Sequence, residues 1–218
     1  MAGEGGFVIK TSTDFSLIES KMKFLFDGLH LDSFQTAKHC CGVNRLVLLL
    51  ADKLDYLQPA EVLFLHWGSL LHDIGKAEIQ ATVLNKKASL TSEEYAQIKY
   101  HPLFGYTLAQ SMDLPEQVCE IILCHHERYD GTGYPCHLKG KEIPLLARIC
   151  SVVDAFEAMV AKRSYRTPLS CEAAFRELVS NKGTQFDPDL VNRFMDLKEV
   201  ILENQGYLVG TCSTCEIE

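Results

Sequence analysis

The chain has 218 residues, a formal net charge of -8 and 47% hydrophobic residues. That length suits one domain able to bury a sizeable core without disulfides, and the apolar fraction excludes a disordered chain. The acidic balance, with no basic stripe, argues against duplex nucleic acid as a partner, although bound metal ions can invert the local sign for an anionic ligand.

Nine cysteines, an odd number at irregular spacing, do not form a disulfide framework. The start MAGEGGFVIK lacks a basic region followed by an apolar one, and the longest apolar run, Leu46 to Ala51, is too short to span a bilayer. A cytoplasmic protein with reduced thiols is expected, most of them small buried apolar residues.

Residues 1 to about 13 are rich in Gly, Ser and Thr and form a loose start. Phe15, Ile18, Met22, Leu25 and Phe26 recur at helical spacing, and a second helical pattern runs from about Gln35 to Tyr56. Pro59 suits the first turn of a third helix running toward His72. Thr91 and Glu94 have the spacing of a capping box before a helix through Tyr95, Ile98 and His101, which Pro102 then breaks or kinks. Pro115 opens a helix ending near His125. Gly131, Gly133, Pro135 and Gly140 mark a loop over 127–143, and Pro144 opens a long apolar helix through Asp154 to about Ala161. Ser170 caps a further helix, and Asp187-Pro188 starts the last. No segment alternates as a strand would. The expected fold is all-α, a single compact helical bundle.

His72-Asp73 closes an apolar helix and is followed by Ile74-Gly75-Lys76. A carboxylate at such a place is costly unless it is paired or coordinates a metal. A neighbouring imidazole and carboxylate suit one cation, and two carboxylate oxygens can bridge two. Gly75 would allow a sharp turn, and Lys76 would meet an anionic ligand. The alternative is an ordinary helix C-terminus, with His72 favouring the dipole and Gly75 as cap. His125-His126 can both turn inward only where the chain is leaving its helix; otherwise one is buried and one solvated. Asp154 sits in an apolar helix and needs a partner, either a metal or a salt bridge to Arg148 or Arg163. His39 and His101 have core readings of their own. His30, His66 and His137 have only such readings, His66 facing away from His72 by its spacing.

Taken in order, these residues resemble the HD superfamily of metal-dependent phosphohydrolases, and within it the HD-GYP subfamily. The match runs through His39, the run HDIGK from His72 to Lys76, His101-Pro102 with Gly105, the block HHERYDGTGYP from His125 to Pro135, Ile143-Pro144 with Ala147-Arg148, Asp154-Ala155-Phe156 with Ala158, and Arg163 to Arg166. It covers roughly residues 35–195, and the HHERYDGTGYP block is its most specific part.

The resemblance implies an HD-domain-like bundle with a GYP loop: an extension with one helix over 1–34, the phosphohydrolase domain over 35–200 and a tail over 201–218. It implies metal ligands at His39, His72, Asp73, His101, His125, His126 and Asp154, with Asp73 bridging. Lys76 would contact a substrate phosphate, and Gly133, Tyr134 and Pro135 would shape the loop beside the site. Arg163 and Arg166 would take the second phosphate or a guanine edge. The implied activity is hydrolysis of a cyclic dinucleotide, above all cyclic di-GMP, to a linear dinucleotide and then GMP, through a metal-activated hydroxide. Asp73 and Lys76 are the implied catalytic residues.

Some members carry a glutamate one helical turn before the first histidine; here Gln35 stands there, in the run FQTAKH. A neutral amide is a poor ligand, so two divalent ions are expected, iron or manganese, with zinc or nickel also suited to such donors. The alternatives are a hydrolase of cyclic GMP-AMP or another nucleotide, and a catalytically silent cyclic-dinucleotide sensor. About 34 residues before the matched region are too few for a sensory domain, so the expectation is either a stand-alone enzyme or one whose input comes from a sensory partner protein, with a homodimer as a further candidate assembly. Cys212 and Cys215 have CxxC spacing without a second pair, which suits a disordered or packing tail, or a redox-sensitive pair.

Overall fold

A computed structural model describes residues 12–86, 88–161 and 167–208. Its helices are α1 (Ser12–Asp32), α2 (Phe34–Ala51), α3 (Pro59–Leu71), α4 (Ala81–Leu84), α5 (Ser92–Ile98), α6 (His101–Ser111), α7 (Glu116–Cys124), α8 (Leu145–Val160), α9 (Cys171–Ser180), α10 (Pro188–Met195), α11 (Lys198–Glu203) and α12 (Gln205–Leu208). Among the described residues there is no strand, only an isolated bridge between Lys182 and Phe186. No helix of the described residues is long and apolar enough to cross a membrane.

The helix starts follow local chemistry. Ser33 caps α2 by accepting from the Thr36 N–H at 3.2 Å, satisfying a donor that has no partner inside the helix. Thr91 and Glu94 form the anticipated reciprocal box at α5. Pro59 opens α3, and Pro115 and Pro144 stand immediately before α7 and α8. Pro102 differs from expectation. It does not interrupt a helix; α5 ends at Ile98, and Pro102 lies in the first turn of the separate helix α6, where its missing N–H costs nothing. Asp187 caps α10 as anticipated, but α11 and α12 follow it.

The core forms where α2, α3, α7 and α8 meet. Val43, Leu46, Leu65, Leu71, Ile121, Ile122, Ile149 and Val153 are fully sealed there. Each such side chain contributes about 1.5–3 kcal/mol by leaving water. Phe156 anchors a second face, its ring centroid 4.7 Å from that of Phe175 and 5.1 Å from that of Phe194. Ile18, Met22, Leu25, Phe26 and Leu29 bring α1 into the same core. Cys40, Cys119, Cys124, Cys150 and Cys171 are buried free thiols, whereas Cys136 is exposed. Cys212 and Cys215 lie outside the described residues.

This packing brings the C-terminal ends of α3 and α7, the start of α6, the second turn of α2 and the middle of α8 to one place. A short 3-10 turn, Ile74–Glu78, leads away from α3 and packs against α6. Gly75 makes that approach possible. It does not adopt the left-handed conformation of a helix cap; instead, a Cβ there would collide with the His101 carbonyl and the Gly105 amide.

Candidate metal centre

Seven of the anticipated residues converge. The donor atoms of Asp73, His101, His125 and His126 lie within 4.8 Å of one another, and so do those of His39, His72 and Asp154. Asp73 joins the two groups through its two oxygens. Its Oδ1 stands 3.2 Å from His101 Nε2 and 3.9 Å from His125 Nε2. Its Oδ2 stands 3.5 Å from His72 Nε2 and 3.8 Å from His39 Nε2. Asp154 Oδ1 lies 2.9 Å from His39 Nε2.

Three of the rings are aimed by backbone carbonyls three residues earlier in the chain. Nδ1 of His72, His101 and His125 lies 2.8, 2.7 and 2.8 Å from the carbonyls of Ser69, Ile98 and Ile122, each three residues earlier. A carbonyl only accepts, so each Nδ1 carries the proton, and a neutral ring presents the Nε2 lone pair to the centre. His72 Nε2 is fully buried with no hydrogen-bond partner. His101 and His125 oppose their Nε2 atoms at 3.2 Å. Buried, inward-facing lone pairs beside carboxylates are the donor set of a cation, and these residues fit divalent ions.

Protonation follows the same logic. Burial, reinforced by neighbouring histidines, holds His125 well below its usual range and His126 down at about 3. Burial also lowers His72. These rings are neutral and free to ligate. Asp73 would be raised by burial, but the neighbouring Lys76 ammonium leads the interactions that hold the carboxyl well below its usual range. His39 is the exception. Burial lowers it, but Glu157 and Asp154 together raise it to about 9. A proton there occupies the position a cation would take. Cys40 also lies near His72 and Asp73, but burial pushes its thiol far upward, so it stays protonated.

Lys76 is held 2.5 Å from Asp73 Oδ2 rather than extended into solvent. Tyr134 stacks on His126, with ring centroids 4.9 Å apart and an interplanar angle of 30°. Burial, followed by Tyr95 and Asp73, pushes the Tyr134 phenol upward, so it stays a donor. Gly133 passes so close to the Glu127 and Arg128 backbones that a Cβ would collide with them. Pro135 follows Tyr134 through a cis peptide. Arg163 and Arg166 lie outside the described residues. Arg148 does not pair with Asp154; it bridges to Asp187 at 2.5 Å. His66 points away and meets Asn44 Nδ2 at 3.0 Å through its Nδ1.

Two supporting residues escaped the sequence reading. Glu157 accepts from His39 Nδ1 and is buried. Its signal was a second acid in the apolar helix of Asp154, one turn later. Glu127 is also buried, and it accepts from the backbone N–H groups of Cys136 at 2.5 Å, His137 at 3.1 Å and Leu138 at 3.2 Å. It pins the GYP loop beside His126.

The HD domain family model matches residues 23–190. A cyclic di-GMP phosphodiesterase of Thermotoga maritima is 35% identical over 189 residues, which cover 83% of this chain and 51% of that protein. A 3'3'-cGAMP-specific phosphodiesterase of Vibrio cholerae is 35% identical over 171 residues, covering 78% of this chain and 31% of that protein. The chain thus spans about half the length of these relatives or less. An HDG"Y"P protein of Bdellovibrio bacteriovorus shares the fold, with a TM-score of 0.65 at 21% identity over 87% of this chain and 65% of that one. With its histidines and aspartates gathered as described and the HHERYDGTGYP block beside them, the chain belongs to the HD domain family, in the HD-GYP branch.

Proposed function

We propose that this chain is a metal-dependent phosphodiesterase that hydrolyses a cyclic dinucleotide, cyclic di-GMP foremost, to a linear dinucleotide and then GMP. The observation that carries this reading is the Asp73 carboxylate, with one oxygen facing His101 and His125 and the other facing His39 and His72. The relatives named for cyclic di-GMP and 3'3'-cGAMP give the substrate class.

Two divalent ions, iron or manganese, would be held by His39, His72 and Asp154 on one side and by His101, His125 and His126 on the other, with Asp73 between. When bound, they supply Lewis acidity and water of lowered pKa. The chain's own residues do the rest. Nδ1 bonds keep the rings in register. Lys76 keeps a positive charge beside Asp73, where a phosphate oxygen would arrive, and adjacent charge counts for more at a buried centre than in water. Tyr134 keeps its hydroxyl proton as a donor at the rim. Arg163 and Arg166 would take the second phosphate or a guanine edge.

The test is turnover of cyclic di-GMP and 3'3'-cGAMP by purified protein, paired with metal analysis. Hydrolysis of cyclic di-GMP with two ions per chain is the expected result. Three ions per chain would overturn the two-metal reading. Faster turnover of 3'3'-cGAMP would reassign the substrate. Tight binding of either without hydrolysis would make the chain a sensor.

A further inference from the structure

Tyr95 and Lys99 occupy the rim beside the GYP loop. The Lys99 ammonium lies 5.0 Å from the centroid of the Tyr95 ring and 5.3 Å from that of Tyr134. Tyr134 in turn stacks on His126. A continuous run therefore leads outward from the metal centre through His126, Tyr134 and Lys99 to Tyr95.

Packing does not account for Tyr95. Its helix, α5, contains no buried residue, and Tyr95 itself is 50% exposed. The helix is held instead by its capping box and by Glu94, which accepts from Lys86 at 2.6 Å. A large aromatic side chain left open to water beside a reaction centre offers a flat surface to a ligand. Lys99 is exposed as well, and the contacts of its ammonium described here are aromatic faces. Such a cation keeps its N–H donors available while the rings hold it in place.

The bases of a cyclic dinucleotide differ in what they present to such a donor. Guanine offers two adjacent acceptors, O6 and N7. Adenine offers N7 beside an amino group that is itself a donor and would face the ammonium unfavourably. We infer that Tyr95 and Lys99 form a guanine subsite at the mouth of the metal centre, the base lying against the Tyr95 ring while Lys99 donates to O6 and N7. This rests on the phosphodiesterase reading above and adds a determinant of base preference to it.

The test is calorimetric titration of the full, metal-containing chain with GMP, AMP and ribose 5-phosphate, the last serving as the reference within each variant. Wild type should bind GMP about tenfold tighter than ribose 5-phosphate, and tighter than AMP. Lys99→Met should remove the preference for GMP over AMP. Tyr95→Ala should bring GMP down to the reference, and Tyr95→Phe should restore it. The subsite is overturned if wild type binds GMP no tighter than ribose 5-phosphate, or if the base preference survives in Lys99→Met and Tyr95→Ala. Base preference that is lost in the variants, in a protein that hydrolyses no cyclic dinucleotide, would uphold the subsite and sink the phosphodiesterase reading. Hydrolysis of cyclic di-GMP with the same KM in all variants would do the reverse.

Discussion

The Nε2 atoms of His101 and His125 face each other at 3.2 Å, each ring committed through Nδ1 to a backbone carbonyl three residues earlier. Two lone pairs at that separation repel unless a cation stands beside them. Binding an ion there stabilises the folded chain by mass action, by about 4 kcal/mol at a thousand times Kd. Removing metal with a chelator should therefore lower Tm by on the order of 10 °C. Asp73→Ala should lose bound metal, the chelator response and turnover together. An Asp73→Ala protein that kept full activity would refute the bridging role.

His39 supplies the pH dependence. Glu157 and Asp154 raise it from 6.5 to about 9 against the pull of burial, so in the metal-free protein it is charged at neutral pH. Because the folded value is raised, its contribution to stability is fully present below pH 6.5 and fades as pH rises toward 9. A metal ion must displace that proton. Affinity for manganese should thus rise by roughly tenfold per pH unit between pH 6.5 and 8.5. Glu157→Gln should flatten this dependence and weaken binding at the upper end by about tenfold or more. Calorimetry in buffers of different ionisation enthalpy counts the released proton directly. An unchanged pH profile in Glu157→Gln would exclude this coupling.

Glu127 gathers three backbone N–H groups from 136–138. Glu127→Gln replaces two acceptor oxygens with one and turns an amide donor toward those N–H groups. The expected cost is about 1–3 kcal/mol, seen as a lower Tm. Hydrogen exchange should accelerate at Cys136, His137 and Leu138 while α2 and α3 stay protected. Turnover should fall with it, since the same loop carries Tyr134 against His126. Uniform exchange across the chain would point to general destabilisation instead.

The gathering of these histidines and aspartates was legible because acids are expensive in apolar helices: Asp73 and Asp154 had to be paired or metal-bound, and their order with the histidines matched a family. Glu157 and Glu127 were harder. Glu157 meets His39 across 118 positions of sequence; its place one turn after Asp154 in an apolar helix shows that it needs a partner but not which one. Glu127 acts on main-chain groups, which no side-chain motif displays. The expected break or kink at Pro102 failed because a proline is equally compatible with the end of one helix and the first turn of the next, and only the packing of α6 decides between them. Gly75 was read for its conformational freedom, whereas its real constraint is a neighbouring backbone visible only in three dimensions.

That neighbour yields the last prediction. Gly75→Ala places a methyl against the His101 carbonyl and the Gly105 amide. The 3-10 turn and α6 must separate, at a cost of about 1–3 kcal/mol. His101 should move from Asp73 while His39, His72 and Asp154 stay in place. Metal analysis should find one ion per chain instead of two; two tightly held ions would show that the turn can yield without disturbing the site.

Because His72, His101 and His125 each take their orientation from a carbonyl three residues earlier, the alignment of these rings is settled within four consecutive residues. Assembly of the centre then requires that the ends of α3 and α7 and the start of α6 meet the flanks of α2 and α8. Connectors such as 52–58 can change length without retuning any ring. A scaffold built this way tolerates insertions between its rods far better than substitutions at their tips.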